Sequence, residues 1–260
     1  MVVWITGASS GIGEACAYRY ASRGCSLILT SSSADRLAPV ADRCRSLGAA
    51  QVKILPYDFR DASDMEPFVD DGWNCFGKVD ILYCNAGVSQ RTRVVDTSAE
   101  MIRTIMEVNF FAPAEMSRLI LPKMVEAGGG HIAVTSSIAG YFGFPLRCAY
   151  SSAKHAVYGF FETLRAENAG RGIKVTVVCP GRVRTNISFN ALDKGGKKYA
   201  RMDPGQEGGL TADKAARRIV RAIDRGRREV LVGRFELLMV WIKRFFPGLC
   251  AAAARRVNPV

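Results

Sequence analysis

Apolar residues occur along this chain in two alternating patterns. Short runs rich in Val, Ile and Leu are separated by longer stretches in which apolar residues recur every three or four positions. The short runs predict strands at Val2–Thr6, Ser26–Ser31, Val52–Tyr57, Val79–Cys84, His131–Ser136, Lys174–Cys179 and Glu229–Val232. The longer stretches predict helices at Gly13–Arg23, Ala34–Leu47, Ser98–Val125, Ala149–Asn168 and Thr211–Arg225. Thr211 has the hydroxyl of an N-cap, and Asp213 in the first turn suits the positive end of the helix dipole. Strands that are apolar throughout and joined by helices predict a doubly wound α/β fold. Its parallel sheet, of about seven strands, would be covered by helices on both faces.

No internal repeat or low-complexity linker divides residues 1–260, so a single domain is expected. Two segments stand outside the alternation. Residues 186–209 are irregular, with Gly195-Gly196 and Gly208-Gly209 near the ends, and an insertion of that length predicts a lid or binding loop. Residues 234–250 are amphipathic. Glu236–Phe246 predicts a helix ended by Pro247-Gly248, with an unbroken apolar run from Leu237 to Ile242. Trp241, Phe245 and Phe246 add rings, and Lys243, Arg244, Arg255 and Arg256 add charge. At about 1.5 Å per residue the segment is too short for a bilayer core of roughly 30 Å. It can cover the substrate pocket, meet a neighbouring subunit, or lie in a membrane interface.

Composition narrows the class. With 48% hydrophobic and 23% charged residues in 260, the chain is neither disordered nor fibrous. Residues 1–170 hold 16 Lys+Arg against 17 Asp+Glu, whereas residues 171–260 hold 20 against 7. That asymmetry points to an anionic partner for the last third, or to a solvated basic face. The eight cysteines are scattered without C-x-x-C spacing, and His131 and His155 are the only histidines. No metal site and no disulfide framework are expected, and the thiols read as those of a reduced, cytoplasmic protein. An apolar first strand beginning at Val2 leaves no room for a signal peptide.

The chemistry begins directly after the first strand. Thr6-Gly7-Ala8-Ser9-Ser10-Gly11-Ile12-Gly13 runs from that strand into a helix. Gly7 permits a tight turn, Gly11 lets backbone amides approach a pyrophosphate, and Gly13 lets the helix pack on the strand. The phosphates of a dinucleotide then meet free N–H groups at a helix N-terminus. Ser137 lies thirteen residues before Tyr150, and Lys154 lies four after it, placing phenol and ammonium on one helix face. A phenol is a poor general base near neutrality, because its reference pKa is about 10. A neighbouring cation is needed to stabilise the phenolate.

With these motifs the chain resembles the short-chain dehydrogenases, whose TG-x-x-x-G-x-G loop is matched by Thr6–Gly13. Asn85-Ala86-Gly87, Tyr150-x-x-x-Lys154 and Pro180-Gly181 follow in that family's order. The resemblance covers nearly the whole chain and thins after Val232. It implies hydride transfer between a nicotinamide and a carbonyl or secondary alcohol, in a homodimer or homotetramer. It makes Tyr150 the acid–base, Lys154 a holder of the nicotinamide ribose and Ser137 a hydrogen-bond donor to the substrate oxygen. Asn109 would anchor a water chain to the lysine. Gly7, Ser9, Ser10, Gly11, Ile12 and Gly13 would hold the pyrophosphate. Ser31, Ser32, Asp58, Phe59, Asn85, Ala86 and Gly87 would hold the adenosine side, and Pro180, Gly181, Val183 and Thr185 the nicotinamide.

The second strand ends Thr30-Ser31-Ser32-Ser33, with no carboxylate before Asp35. Lack of repulsion toward a 2′-phosphate favours NADP(H) over NAD(H), with Arg36 as a candidate partner for that phosphate. Tyr141, Phe142 and Phe144, with Phe189 and Leu192, are expected to form an apolar pocket for a hydrophobic carbonyl or alcohol. Thr185-Asn186-Ile187-Ser188 and Met202-Asp203 resemble the branch containing 11β-hydroxysteroid dehydrogenases and related membrane-associated reductases, which act on steroid-, retinoid- and lipid-like carbonyls. Arg182 either favours an anionic substrate group or points to solvent. No nucleic-acid partner is expected. The competing reading is a cofactor-binding regulator without turnover, docked through its basic last third. A binder of that kind has no need for a phenol beside an ammonium.

Overall fold

The computed structural model describes residues 1–255. Alternate side chains of each buried strand feed different cores. In β1 (Val2–Thr6), Val3 and Ile5 face one side of the sheet, while Val2 and Trp4 face the other. The chain continues through α1 (Gly11–Ala21), β2 (Ser26–Thr30), α2 (Ala34–Ser46), β3 (Gln51–Ile54), α3 (Met65–Asn74) and β4 (Ile81–Cys84). Next come α4 (Ala99–Met106), α5 (Ala112–Glu126), β5 (Gly130–Thr135), α6 (Cys148–Glu167) and β6 (Ile173–Pro180). The last part holds β7 (Val183–Arg184), α7 (Pro204–Glu207), β8 (Leu210–Thr211), α8 (Ala212–Asp224), β9 (Glu229–Val232), α9 (Leu238–Phe245) and α10 (Pro247–Arg255).

Strands β3-β2-β1-β4-β5-β6-β9 form one parallel sheet in that order. Helices α1, α2 and α8 cover one face, and α3, α5 and α6 cover the other. The order reverses between β1 and β4, which opens a crevice at the carboxyl ends of the central strands. Caps set several helix starts. Ser33, Ser98 and Thr211 accept from the backbone N–H groups of Arg36, Met101 and Lys214.

The structure departs from the sequence expectations at four places. Helix α3 was not anticipated, because Pro67 and Gly72 weaken its helical pattern. Gly72 is there for packing: a Cβ at this position would lie 1.9 Å from the Trp4 ring. The long helix expected at Ser98–Val125 carries a π turn at Glu107–Phe111 between α4 and α5. The insertion at 186–209 contains the short α7, closes on the domain through a bridge from Leu192 to Gln90, and folds on itself through a bridge from Leu192 to Lys198. Finally, Pro247 opens α10 as well as following α9, since proline suits the first turn of a helix. All eight cysteines are free thiols.

Candidate active site

The carboxyl ends of β1, β2, β4, β5 and β6 border one cleft of about 1220 Å³. The glycine loop forms one end. Gly7 adopts a φ of +64°, and a Cβ there would lie 2.8 Å from the Ala86 Cα. Gly13 does not line the cleft. It lies beneath the turn, where a Cβ would come 2.3 Å from the Gly7 carbonyl oxygen. Ser10, the N-cap of α1, makes no side-chain capping bond. The amides of the first turn, beside Ser9, Gly11 and Ile12 on the cleft wall, are therefore disposed to receive an anion.

Asn85 braces this loop. Its N–H and that of Ala86 both donate to Thr6 Oγ1 at 3.0 Å, and its Nδ2 donates to the Thr6 carbonyl at 3.2 Å. Thr135 Oγ1 donates to Asn85 Oδ1 at 3.2 Å, so one side chain joins β1, β4 and β5. Further along, Ser31, Ser32, Asp58 and Phe59 line the wall. Arg36 is there too, its Nη2 donating to Ser32 Oγ at 3.2 Å. Hydrogen bonds from Arg60 hold the Asp58 carboxyl below the usual carboxylate range.

At the opposite end, Ser137 leaves β5 in an extended conformation and caps a 3-10 turn, Ile138–Gly140. Its Oγ accepts from the Ala139 N–H at 3.1 Å and donates to the Pro180 carbonyl at 3.3 Å. Ser136 instead donates to the Lys154 carbonyl at 2.9 Å and so braces α6. Tyr150 and Lys154 sit one turn apart on α6, both buried and both on the cleft wall. Lys154 Nζ donates to the Thr135 carbonyl at 2.8 Å and lies 5.7 Å from the centroid of the Tyr150 ring.

Burial pushes the Lys154 ammonium down to about 7 and raises the Tyr150 phenol above its usual 10. Arg147, the Ser137 hydroxyl and Arg91 pull the phenol back. The sequence reading gave that pull to the lysine ammonium and the oxidised nicotinamide; Arg147 is a further cation that acts on the phenol.

The π turn explains Asn109. Its Nδ2 donates to the carbonyls of Val88 and Ile105, both at 2.9 Å, while its buried Oδ1 has no partner. A Cβ on Gly87 would lie 2.9 Å from that Oδ1 and 3.8 Å from Lys154 Nζ. An orphaned acceptor beside the lysine is suited to holding a water. Pro180, Gly181, Val183 and Thr185 complete the wall next to Ser137 and Tyr150.

Two expectations about the substrate end are corrected. Tyr141, Phe142, Phe144 and Phe189 do not line the cleft. Tyr141 packs on Tyr158 and Phe142 lies under the C-terminal helices, while Phe144 packs both there and behind the cleft wall, in the cluster with Val88, Met101, Tyr150 and Leu192. Phe189 is exposed. Leu192 lines the cleft as expected, and the rest of the apolar lining comes from Val88, Met101, Val108 and Ile187. Arg182 is exposed, with its guanidinium against Gly205 rather than in the cleft.

Sequence reasoning also missed a buried charge cluster. Asp203 Oδ2 accepts from Arg91 Nη2 at 2.9 Å and from Arg147 Nη2 at 3.0 Å, with side chains 11%, 1% and 15% exposed. Asp203 Oδ1 also accepts from the Gly205 N–H at 2.8 Å. One carboxylate thus fastens the insertion to the β4 loop and to the residue that leads into α6. Burial and the Arg147 cation bring the Arg91 guanidinium down to about 10. Asp203→Asn would leave two buried guanidinium groups sharing a neutral partner. We expect it to lower unfolding stability by about 3 kcal/mol in urea denaturation. A loss under about 1 kcal/mol would mean the carboxylate is dispensable. Gln90 was missed as well: its Oε1 accepts from the Tyr150 N–H at 3.1 Å and orients the start of α6.

A glycine loop at a helix N-terminus, a serine at the end of β5 and a Tyr–Lys pair on the next helix define a nicotinamide-dependent oxidoreductase. The chain belongs to the short-chain dehydrogenase family, whose model ("short chain dehydrogenase") matches residues 1–194. It is 36% identical over 252 residues to mouse "Dehydrogenase/reductase SDR family member 7B", covering 95% of this chain and 78% of that protein. It is also 36% identical to the Drosophila melanogaster "Dehydrogenase/reductase SDR family protein 7-like", covering 95% and 77%. Among solved structures, a short-chain dehydrogenase/reductase from Burkholderia phymatum in complex with NAD superposes with a TM-score of 0.84. That pair is 28% identical and covers 100% of this chain and 96% of the other. The Sphingobium yanoikuyae short-chain dehydrogenase in complex with NADPH gives 0.80 at 26% identity, covering 99% and 96%.

Proposed function

We propose that the protein interconverts a lipophilic carbonyl compound and its secondary alcohol with NADP(H) as hydride carrier. The observation that carries this reading is the meeting of Ser137, Tyr150 and Lys154 in the cleft that ends on the glycine loop. The nicotinamide, when bound, supplies or accepts the hydride. Tyr150 Oη then gives the proton that the nascent alkoxide needs, and takes it back in the oxidation direction. Ser137 Oγ donates a hydrogen bond to the same oxygen, strengthening as charge develops there. Lys154 holds the ribose, and Asn109 Oδ1 anchors the water through which it exchanges protons.

The fit to the dinucleotide rests on the uncapped first turn of α1, on the room left by Gly7, and on Ser9, Ser10, Gly11, Ile12, Asn85, Ala86 and Gly87 about it. Asp58 and Phe59 receive the adenine edge. Ser31, Ser32 and Arg36 receive the 2′-phosphate. Val183 and Thr185, with Pro180 and Gly181, receive the nicotinamide amide. Val88, Met101, Val108, Ile187 and Leu192 support a lipophilic substrate. The reading includes self-association as a homodimer or homotetramer. Exposed Ile102 and Phe111, on the helical stretch from α4 into α5, support that assembly.

The test is direct. Purified protein with NADPH is screened against lipophilic and small polar ketones by loss of nicotinamide absorbance. Turnover should be confined to, or fastest on, the lipophilic members. Failure of every ketone and every alcohol in both directions, with cofactor bound, would leave the regulator without turnover as the better account.

A further inference from the structure

We propose that α9 and α10 dock the protein on an anionic lipid surface. Helix α9 is held on the domain by one side only. Leu237, Met239, Val240 and Ile242, with Cys250 of α10, pack on Ile138 and Phe142, just beyond Ser137. Glu236 is buried and accepts from the Arg182 N–H at 2.8 Å, which fixes the start of the segment beside β6 and β7. The segment is therefore attached at its start and along one side, and projects from the domain.

Its other side is apolar and bare among the described residues. Leu238, Trp241 and Phe245 follow one another at i, i+3 and i+7, with exposures of 61%, 57% and 65%. The Trp241 and Phe245 rings stack at 6.4 Å, and Phe246 and Leu249 extend the patch at 64% and 58%. Contiguous exposed apolar surface of this kind marks a place of interaction.

The occupant follows from charge. Lys243 and Arg244, which fall between Trp241 and Phe245 in sequence, are exposed, Arg244 on the flank of the ring face and Lys243 further round α9. No Asp or Glu occurs anywhere after Glu236. A second copy meeting this patch about a two-fold axis would set cation against cation with no acid to relieve them. An anionic headgroup layer takes the cations while its upper acyl region takes Trp and Phe rings. Helix α9 is about 12 Å long, so it lies in the interface. No helix of the described residues is long and apolar enough to cross a membrane. Arg256, counted with this segment in the sequence, lies outside the described residues, as does the side chain of Arg255. The inference does not depend on the proposed reaction.

The test uses the full chain with vesicles of phosphatidylcholine alone and of phosphatidylcholine with phosphatidylserine. Trp4 is buried and Trp73 half-buried, so a blue shift of tryptophan emission reports chiefly on Trp241. We expect co-sedimentation and a blue shift with the phosphatidylserine vesicles, both falling as salt rises. The pair Lys243→Glu and Arg244→Glu should weaken partition at least about tenfold. Trp241→Ser should weaken it without changing the salt dependence. Three outcomes would each overturn the proposal: no pelleting of folded protein at low salt, equal pelleting on both vesicles, or an oligomer that Trp241→Glu dissociates while vesicles go unbound. The last would place a second copy on the patch.

Discussion

Tyr150→Phe should reduce turnover by at least about 10²-fold while the dissociation constant for NADPH stays within about twofold of the native protein. The phenol is buried on the cleft wall beside the Ser137 hydroxyl, and its ring is held by α6 independently of its oxygen. In the proposed mechanism, removing the oxygen deletes the proton donor and leaves Lys154 in place for the ribose. Steady-state rates on a ketone found by the screen, with cofactor fluorescence titration, measure the two quantities separately. A variant keeping most of its turnover would remove Tyr150 from the chemistry. The same geometry gives a pH dependence. Alcohol oxidation requires the phenolate, so its rate should rise with pH. Burial raises the phenol pKa, and Arg147 is the largest influence opposing burial. Arg147→Gln should therefore move the rise to higher pH. A profile unchanged by that substitution would show that the phenol does not feel the guanidinium.

What was legible in the sequence was whatever depended on local spacing. The strands feeding both cores appear as continuous apolar runs, and the glycine loop, Ser137, Tyr150 and Lys154 lie where chain-local geometry puts them. Boundaries shifted by a few residues. Strand β3 is an example: the regular strand is Gln51–Ile54, one residue earlier than expected at its start, while the Leu55 and Tyr57 N–H groups still donate to the Leu29 and Ser31 carbonyls along β2. The illegible parts depend on residues distant in the chain. Asp203 meets Arg91 across 112 positions, and nothing in a linear pattern says that three charges share one buried spot. Gly72 reads as a helix breaker until the Trp4 ring is seen against it. The aromatic run Tyr141–Phe144 misled for the opposite reason. Its composition suits a pocket lining, yet after Gly140 Phe142 goes beneath α9 and α10, and Phe144 packs behind the cleft wall rather than on it. The π turn at Asn109 was invisible too, since a single inserted residue leaves the helical periodicity almost intact.

Ser32→Asp should reverse the cofactor preference, weakening NADPH at least about tenfold and strengthening NADH. Ser32 lies on the cleft wall just past β2, and Arg36 Nη2 already reaches its hydroxyl at 3.2 Å. In the native protein that guanidinium is free to turn toward a 2′-phosphate, because a serine hydroxyl holds it only weakly. An aspartate would act twice. It would pair with Arg36 one turn along α2 and withdraw the cation from the phosphate, and its own charge would repel the phosphate. Toward NADH the same carboxylate accepts hydrogen bonds from the free ribose hydroxyls. Arg36→Ala separates the two actions: it should weaken NADPH and leave NADH nearly unchanged. Fluorescence titration of both cofactors against the three proteins decides the matter. Native protein binding NADH more tightly than NADPH would overturn the assignment, and an unaltered NADPH affinity in Arg36→Ala would confine the discrimination to the serines.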